Sequence, residues 1–446
     1  MEKIPGYSIY ETILSSLSIF CSFGVKEDYI DELIKLNWIK LQKIYPYLYD
    51  YTSIVDNNYD YSNNLPIKIE LKDNNNLDEC LIKMISNLSK ESIKPEILSQ
   101  KKSLLAYSKI LITNTKYTVF SLYIPHSRTD FKSISFIVTS YLNLFDNITT
   151  IYPMESLNKI MVEKNLIPEI EERPKLIKKF FNYKQILKFD FSKLNEKILL
   201  TEEEKKIIEN EKNNYLNIKS FYMTSKTLKI SKEEIQYIFN ICKKDNLSIQ
   251  GLLYAAYLKA SLELFKSNIN EADAVNFQII YDQRKNTVNN EKCIGLFADG
   301  TYPCFSLDLL KKSVMEISKD LTNRIRKIKS IDDEEFKRYR LECYHFHREL
   351  YTIQFSFSAS NMGKFKVLED LSNNIKEKFI DFYFMGGFRF PLSNNYKDIA
   401  IHMFGLFDGS CNISLSYPEF VVPSIFMKKL LQKMKDIILN YPELSF

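Results

Sequence analysis

The order of apolar and polar positions predicts strands and helices that alternate from the start of the chain. Residues 18–23 form an apolar run of strand length, and residues 28–42 place apolar side chains at helical spacing. Two further apolar runs, 104–111 and 117–124, are separated by a short polar turn and are predicted to pair. Residues 131–145 again show one apolar helical face. This pattern predicts an α/β protein.

The second half of the chain repeats the alternation after a charged stretch. Residues 231–243 and 247–264 predict two helices, and residues 274–284 predict a strand. The charged stretch contains no glycine and separates the two apolar halves, so we interpret it as a crossover. The predicted divisions are an N-terminal lobe (1–165), a crossover linker (166–218) and a C-terminal lobe (219–446).

Composition limits the class of protein. The chain has 446 residues, 45% apolar and 26% charged, which is typical of a globular protein too long for a single core. The net charge of +5 is spread without a basic stripe, so nucleic-acid binding is not predicted. No apolar run reaches the roughly 18 residues of a membrane span, and no signal peptide is evident.

The seven cysteines are widely spaced and form no CxxC pair, which predicts reduced thiols rather than a disulfide framework. Reduced thiols favour a cytoplasmic location. We also expect a monomer. A location at the surface of a membrane or lipid droplet is left open.

His126 is the most informative candidate for chemistry. It ends the apolar strand that starts at Tyr117 and precedes by four residues Asp130, which opens the next helix. Ligands bind at the carboxyl ends of strands in open α/β sheets. A helix N-terminus disfavours the imidazolium and keeps the ring neutral, which suits a general base.

Two structural interpretations of the same residues remain open at this level. A histidine at the end of a strand can simply be a satisfied part of the core. The pattern Ser127-x-x-Asp130 resembles a capping box, so the carboxylate could serve only as a helix cap.

The segment His126-Ser127-Arg128-Thr129-Asp130 also resembles the HxxxD signature of the CoA-dependent acyltransferase superfamily. That superfamily includes chloramphenicol acetyltransferase, condensation domains and alcohol O-acetyltransferases, and the resemblance to the last group extends over nearly the whole chain. The other segments that agree in order are 6–11, 248–256, 279–284, 294–300, 360–363 and 403–417.

The resemblance implies an α/β, two-lobed chloramphenicol acetyltransferase-like fold, with mixed sheets flanked by helices and an active-site channel between the lobes. His126 would act as the general base, and Asp130 would pair with Arg284 in a structural role, through a short contact. Ser360 and Asn361 would donate to the oxyanion or the substrate.

The resemblance also implies the reactants. No cofactor would be bound, and acyl-CoA, most often acetyl-CoA, would serve as co-substrate for O-acetyl transfer. The abundant Phe and Tyr residues around the matching segments favour a hydrophobic alcohol or amine as acceptor.

The sequence departs from the family pattern on either side of the motif. Pro125 replaces a histidine found in many members, and Phe131 replaces a glycine. We expect Phe131 either to narrow the channel or to shift the start of the helix. Alternatives that stay open are an N-acyltransferase acting on a hydrophobic amine, a carrier-dependent condensation enzyme, and a catalytically silent family member that serves as a binding scaffold.

A metal site is not predicted. Cys343, His345 and His347 are close in sequence, but the pattern of residues 334–350 predicts a helix. On a helix only Cys343 and His347 would share a face.

Overall fold

The computed structural model describes most of the chain. The described residues are 17–49, 61–71, 76–92, 94, 102–126, 129–155, 186–216, 223–282, 284, 288, 291–301, 304–329, 357–364, 369–388, 399–406, 408–419 and 421–441.

Strands and helices alternate through these residues, as the apolar pattern predicts. The strands are β1 (Leu17–Val25), β2 (Ile67–Lys68), β3 (Leu104–Ile112), β4 (Thr115–Pro125), β5 (Phe189–Leu194), β6 (Met223–Ile230), β7 (Phe265–Ser267), β8 (Ala274–Asp282), β9 (Ala298–Thr301), β10 (Cys304–Ser306), β11 (Phe357–Lys364), β12 (Phe379–Phe388), β13 (Ala400–Gly405) and β14 (Cys411–Pro418). The helices are α1 (Asp31–Ile44), α2 (Leu77–Ser92), α3 (Phe131–Asn143), α4 (Glu202–Leu216), α5 (Lys232–Lys244), α6 (Ile249–Leu264), α7 (Val314–Lys329), α8 (Asn373–Lys378) and α9 (Ser424–Leu439).

The first sheet has the strand order β12-β1-β4-β3-β2. Its β3–β4 hairpin confirms the pairing predicted from the two apolar runs, with Tyr107 opposite Phe120. Thr113 and Asn114 form the tight turn and both have positive φ, 47° and 63°. Two successive residues of positive φ match the right-handed twist of the strands that they connect.

The second sheet has the strand order β10-β8-β11-β13-β14-β6, with β9 also paired to β8. β11 runs parallel to both β8 and β13, whereas β13–β14 and β14–β6 are antiparallel. This is a mixed sheet, as the resemblance implies.

β12 connects the two sheets. It comes from the C-terminal half of the chain but pairs with β1 at the edge of the first sheet, with Gly386 opposite Ile19. On its other side, Ser414 donates from Oγ to the carbonyl of Phe384 at 3.1 Å. β12 thus pairs within the first sheet and contacts the second sheet through side chains.

Helices cover the outer faces of both sheets. α1 and α3 lie on one face of the first sheet, where Trp38 packs edge-on against Tyr141. α2 covers the opposite face of this sheet. In the second half, α6 is buried on nearly all sides, and a Cβ at Gly251 would lie 2.6 Å from Oγ1 of Thr322 on α7. Glycine therefore permits the close approach of these two helices.

The predicted crossover is described from residue 186 onward and contains β5 and α4. Phe191 and Ile208 of this part pack in the same core as α6 and the second sheet. The division of the chain at 166–218 itself stays a prediction.

The thiols of five described cysteines are buried and free: Cys21, Cys80, Cys242, Cys293 and Cys411. Among the helices described, none combines the length and the apolar character needed to cross a bilayer.

Candidate active site

The strand-to-helix junction after β4 forms the centre of the candidate site. β4 is an internal strand, fully buried from Thr118 to Pro125, and it delivers His126 at its carboxyl end. Helix α3 begins at Phe131, as predicted, so the bulk of this side chain does not shift the helix start. Asp130 is the N-cap residue, in extended conformation, and its Oδ1 accepts a hydrogen bond from the backbone N–H of Ser133 at 2.9 Å.

The hydrogen bond of His126 fixes its tautomer. Nδ1 lies 2.6 Å from the carbonyl oxygen of Thr129, and a carbonyl oxygen can only accept, so Nδ1 carries the proton. Nε2 of the neutral ring is then left with a free lone pair. Burial lowers the pKa of His126 below its usual 6.5, and the Thr129 hydrogen bond and the charge of Asp130 oppose this shift only in part. The ring is therefore held as a neutral proton acceptor near pH 7.

The short contact predicted between Asp130 and Arg284 is present. Arg284 Nη1 lies 2.9 Å from Oδ2 of Asp130, and Nη2 lies 2.9 Å from Oδ1, which is a bidentate ion pair. The Arg284 side chain is 0% exposed and that of Asp130 is 5% exposed. Asp130 is thus both a helix cap and the ion-pair partner of an arginine 154 residues away.

Further hydrogen bonds complete this cluster. Oδ2 of Asp130 accepts from the backbone N–H of Phe297 at 2.8 Å, and Arg284 Nη2 donates to Oγ of Ser133 at 2.7 Å. The same Ser133 hydroxyl donates to the carbonyl of Gly295 at 2.6 Å and accepts from its N–H at 2.9 Å. A Cβ at Gly295 would lie 2.2 Å from the carbonyl oxygen of Glu155, so only glycine fits at this position.

Electrostatics favour the ionised form of this pair. Burial alone would raise the pKa of Asp130, but the charge and hydrogen bonds of Arg284 outweigh it, and the pKa lies below its usual 3.8. Burial would likewise lower the pKa of Arg284, but Asp130 raises it instead. The carboxylate has all four of its accepting positions occupied, so it has no free lone pair to relay a proton from His126.

Phe131 packs in an aromatic cluster where the two sheets meet. Its ring centroid lies 5.0 Å from that of Phe384 and 5.9 Å from that of Phe382, both on β12, and 5.7 Å from that of Phe404 on β13. A glycine at this position would leave the cluster without its central ring. The bulky residue after the motif therefore contributes to packing between the sheets.

The structure places Ser360 and Asn361 on β11, where neighbouring residues face opposite sides of the sheet. Ser360 is buried and lies opposite His402 of β13. Asn361 lies opposite Met403, and its Oδ1 accepts from the N–H of Gly363 at 3.0 Å. Ser360 thus shares a sheet face with His402. Asn361 accepts its hydrogen bond where the register of β11 against β13 shifts, between Asn361 and Lys364. Their roles as donors stay predictions.

His402 is a polar residue near the site that the sequence patterns did not single out. It lies within β13, and its pKa is lowered to about 3 by burial and, to a smaller extent, by the neighbouring His126. A histidine flanked on both sides by apolar strand residues carries no motif. The one signal available was its rarity, since the chain has four histidines.

No cluster of His, Cys, Asp or Glu in the described residues could hold a metal ion. Cys343, His345 and His347 lie outside the described residues.

No protein-family model and no curated protein matches the sequence. Solved structures do match over nearly the whole chain. The condensation domain of the monacolin K polyketide synthase MokA matches with a TM-score of 0.60 at 10% identity, covering 98% of this chain and 96% of that one. The TRI3 trichothecene 15-O-acetyltransferase of Fusarium sporotrichioides matches with a TM-score of 0.58 at 11% identity, covering 98% and 94%. Polyketide synthase associated protein 5 of Mycobacterium tuberculosis matches with a TM-score of 0.57 at 10% identity, covering 98% of both chains.

These similarities establish the fold. The chain has the two-lobed α/β architecture of condensation domains and chloramphenicol acetyltransferase-like proteins, as the resemblance implies.

Proposed function

We propose that this protein is a CoA-dependent acyltransferase that transfers an acyl group, most simply acetyl, to the hydroxyl of an alcohol. The observation that carries the proposal is the state of His126. Its Nδ1 proton is held by the carbonyl of Thr129, and Nε2 is left with a lone pair beside a fixed helix N-terminus. The shared fold with a trichothecene O-acetyltransferase supports the same reaction class.

The reaction needs two proton transfers, one from the acceptor hydroxyl to His126 and one from His126 to the CoA thiolate. Nε2 of His126 accepts the proton of the acceptor hydroxyl as its oxygen attacks the thioester carbonyl carbon of acyl-CoA. The hydroxyl of Ser360 donates to the resulting oxyanion. When the C–S bond breaks, the imidazolium returns the proton to the CoA thiolate, so the products are an ester and free CoA.

Asp130 and Arg284 affect this reaction by positioning His126, without contacting the reacting atoms. Their buried ion pair holds the start of α3 against residues 293–297, and so fixes the turn that carries His126. Neither Pro125 nor Phe131 removes the base, since the first is the last residue of β4 and the second is packed among aromatic rings. This favours an active enzyme over a silent scaffold.

The test is release of free thiol from acetyl-CoA in the presence of a panel of alcohols and amines. Wild-type protein is expected to release thiol with at least one alcohol, and His126→Ala to lose about 10²- to 10⁴-fold in rate, because a general base contributes that much. Gln236→Ala, an exposed change on α5, is the matched control and should leave the rate unchanged.

Other results would select an alternative. Thiol release with amines alone would indicate an N-acyltransferase. Turnover only of an acyl group loaded on a phosphopantetheine carrier would indicate a condensation enzyme. A His126→Ala variant as active as the wild type would refute the assignment of the base.

A further inference from the structure

His402 is a buried imidazole that lacks a hydrogen-bond partner. The residue is 7% exposed, and neither Nδ1 nor Nε2 finds a hydrogen-bond partner among the described residues. A neutral imidazole has one donor and one acceptor, and leaving either unpaired in the interior is unfavourable. Buried polar groups without protein partners indicate a ligand or water that completes them.

The register of the second sheet places His402 in a polar row. Ser360 lies directly opposite it on β11, and Ser414 lies directly opposite it on β14, so the three side chains share one face. This face points towards β12. Ser414 donates to the carbonyl of Phe384 on that strand, and the His402 ring lies 5.1 Å from the Phe384 ring.

Gly386 on β12 leaves space for the imidazole of His402. A Cβ at Gly386 would lie 3.2 Å from Nε2 and 3.3 Å from Cε1 of His402. The ring therefore occupies space that a side chain at position 386 would otherwise take.

The register of the first sheet places His126 on the same face of that sheet as Gly386. Ile19 of β1 lies opposite Gly386 on one side and opposite Ile124 on the other, so these three residues form one row. His126 follows Ile124 by two residues. The two histidines, one from each sheet, are close enough for the charge of His126 to lower the pKa of His402 further.

The aromatic residues beside this place already have partners. Phe131, Phe382, Phe384 and Phe404 pack against one another where the sheets meet. The hydrophobic character of the acceptor stays a prediction.

We propose that His402 binds a polar group of the acceptor, and that the acceptor is accordingly a molecule with a hydroxyl or amino group next to the hydroxyl that reacts, such as a vicinal diol or amino alcohol. This inference rests on the proposed function, because it places the acceptor at His126. With a pKa of about 3, His402 stays neutral from pH 5 to 9 and offers both a donor and an acceptor to the second group.

The experiment compares two probes that differ by one hydroxyl, hexan-1-ol and hexane-1,2-diol. Binding to the protein is measured by calorimetry, and turnover by thiol release from acetyl-CoA. We expect wild type to prefer the diol by about tenfold to a hundredfold in affinity and in kcat/KM, the range expected when a buried polar group gains its partner. His402→Phe should abolish this preference, and His402→Gln, which keeps a donor and an acceptor, should retain part of it.

Two readouts separate this proposal from the proposed function. Diol preference in binding that depends on His402, without thiol release from any acyl-CoA, supports the His402 site and refutes the acyltransferase proposal. Thiol release with equal kcat/KM for the two probes refutes the His402 site and leaves the acyltransferase proposal standing.

Further outcomes are equally decisive. A His402→Phe variant with a raised KM for acetyl-CoA and an unchanged ratio between the probes would assign His402 to the donor and overturn the proposal. If His402→Phe does not fold, the wild-type ratio and its change in His402→Gln still decide, because a ratio near one in wild type contradicts the proposal.

Discussion

Asp130→Asn tests the buried ion pair that joins the start of α3 to Arg284. The carboxylate accepts four hydrogen bonds, two on each oxygen: from Ser133 N–H and Arg284 Nη2 on Oδ1, and from Phe297 N–H and Arg284 Nη1 on Oδ2. An asparagine has one oxygen, and its NH₂ group would face two donors at the other position. At least two hydrogen bonds are lost, and the guanidinium is left buried without its main counter-charge.

The expected cost follows from the burial of both groups. Removing one partner of a buried ion pair destabilises by about 3–5 kcal/mol. Arg284 Nη1 also donates to Oδ1 of Asp282 at 3.0 Å, and that carboxylate is 37% exposed, so part of the charge stays compensated. We therefore expect a loss of about 3 kcal/mol in the free energy of unfolding, out of a total of about 5–15 kcal/mol.

The assay is equilibrium unfolding in urea, followed by the fluorescence of the single tryptophan, Trp38, which is buried against α3. Glu202→Gln is the matched control. Glu202 pairs with Lys205 at 2.6 Å but is 84% exposed, so this carboxylate-to-amide change should cost less than about 1 kcal/mol. An effect of Asp130→Asn no larger than that of the control would refute the reasoning.

The same pair predicts a dependence on pH. Because the pKa of Asp130 in the folded protein lies below 3.8, its stabilisation is complete above about pH 4 and is lost as the pH falls through the folded-state pKa. The difference in unfolding free energy between wild type and Asp130→Asn should therefore be largest near pH 7 and shrink below pH 4. A difference that stays constant down to the acid limit of folding would contradict the assignment.

Two further predictions concern the base and the aromatic cluster. The pKa of His126 lies below 6.5, mainly because burial disfavours the imidazolium. We therefore expect kcat/KM to rise with pH through an inflection below 6.5 and then to level off. An inflection at about 7 or above would contradict a base whose pKa is lowered. Phe131→Ala should lower the free energy of unfolding in urea by about 3–5 kcal/mol, because it empties the centre of the aromatic cluster. Phe239→Ala is the control: this phenylalanine on α5 is 51% exposed, so its loss should cost little. Equal effects of the two changes would show that the cluster contributes nothing beyond an exposed ring.

Local pattern determined much of the fold in the described residues. The β3–β4 hairpin, the helix that starts at Phe131 and the helix that starts after Ser231 all lie where the apolar spacing predicts them. Each depends on side chains within a few residues of one another, so one sequence suffices to find it. The apolar run that starts at Tyr117 also placed His126 at a strand end. The HxxxD resemblance implied the partner of Asp130, although 154 residues separate it from Arg284.

Tertiary structure alone decided which distant elements meet. Nothing in the local sequence of β12 predicts that it leaves the C-terminal half to pair with β1, and no spacing predicts that Ser133 bridges to Gly295. The sequence patterns missed His402 for the same reason. An imidazole in an apolar strand becomes a candidate binding residue only when the strand register places it opposite Ser360 and beside Gly386. Periodicity tells which side of a strand is buried; what that side faces depends on pairings across hundreds of residues.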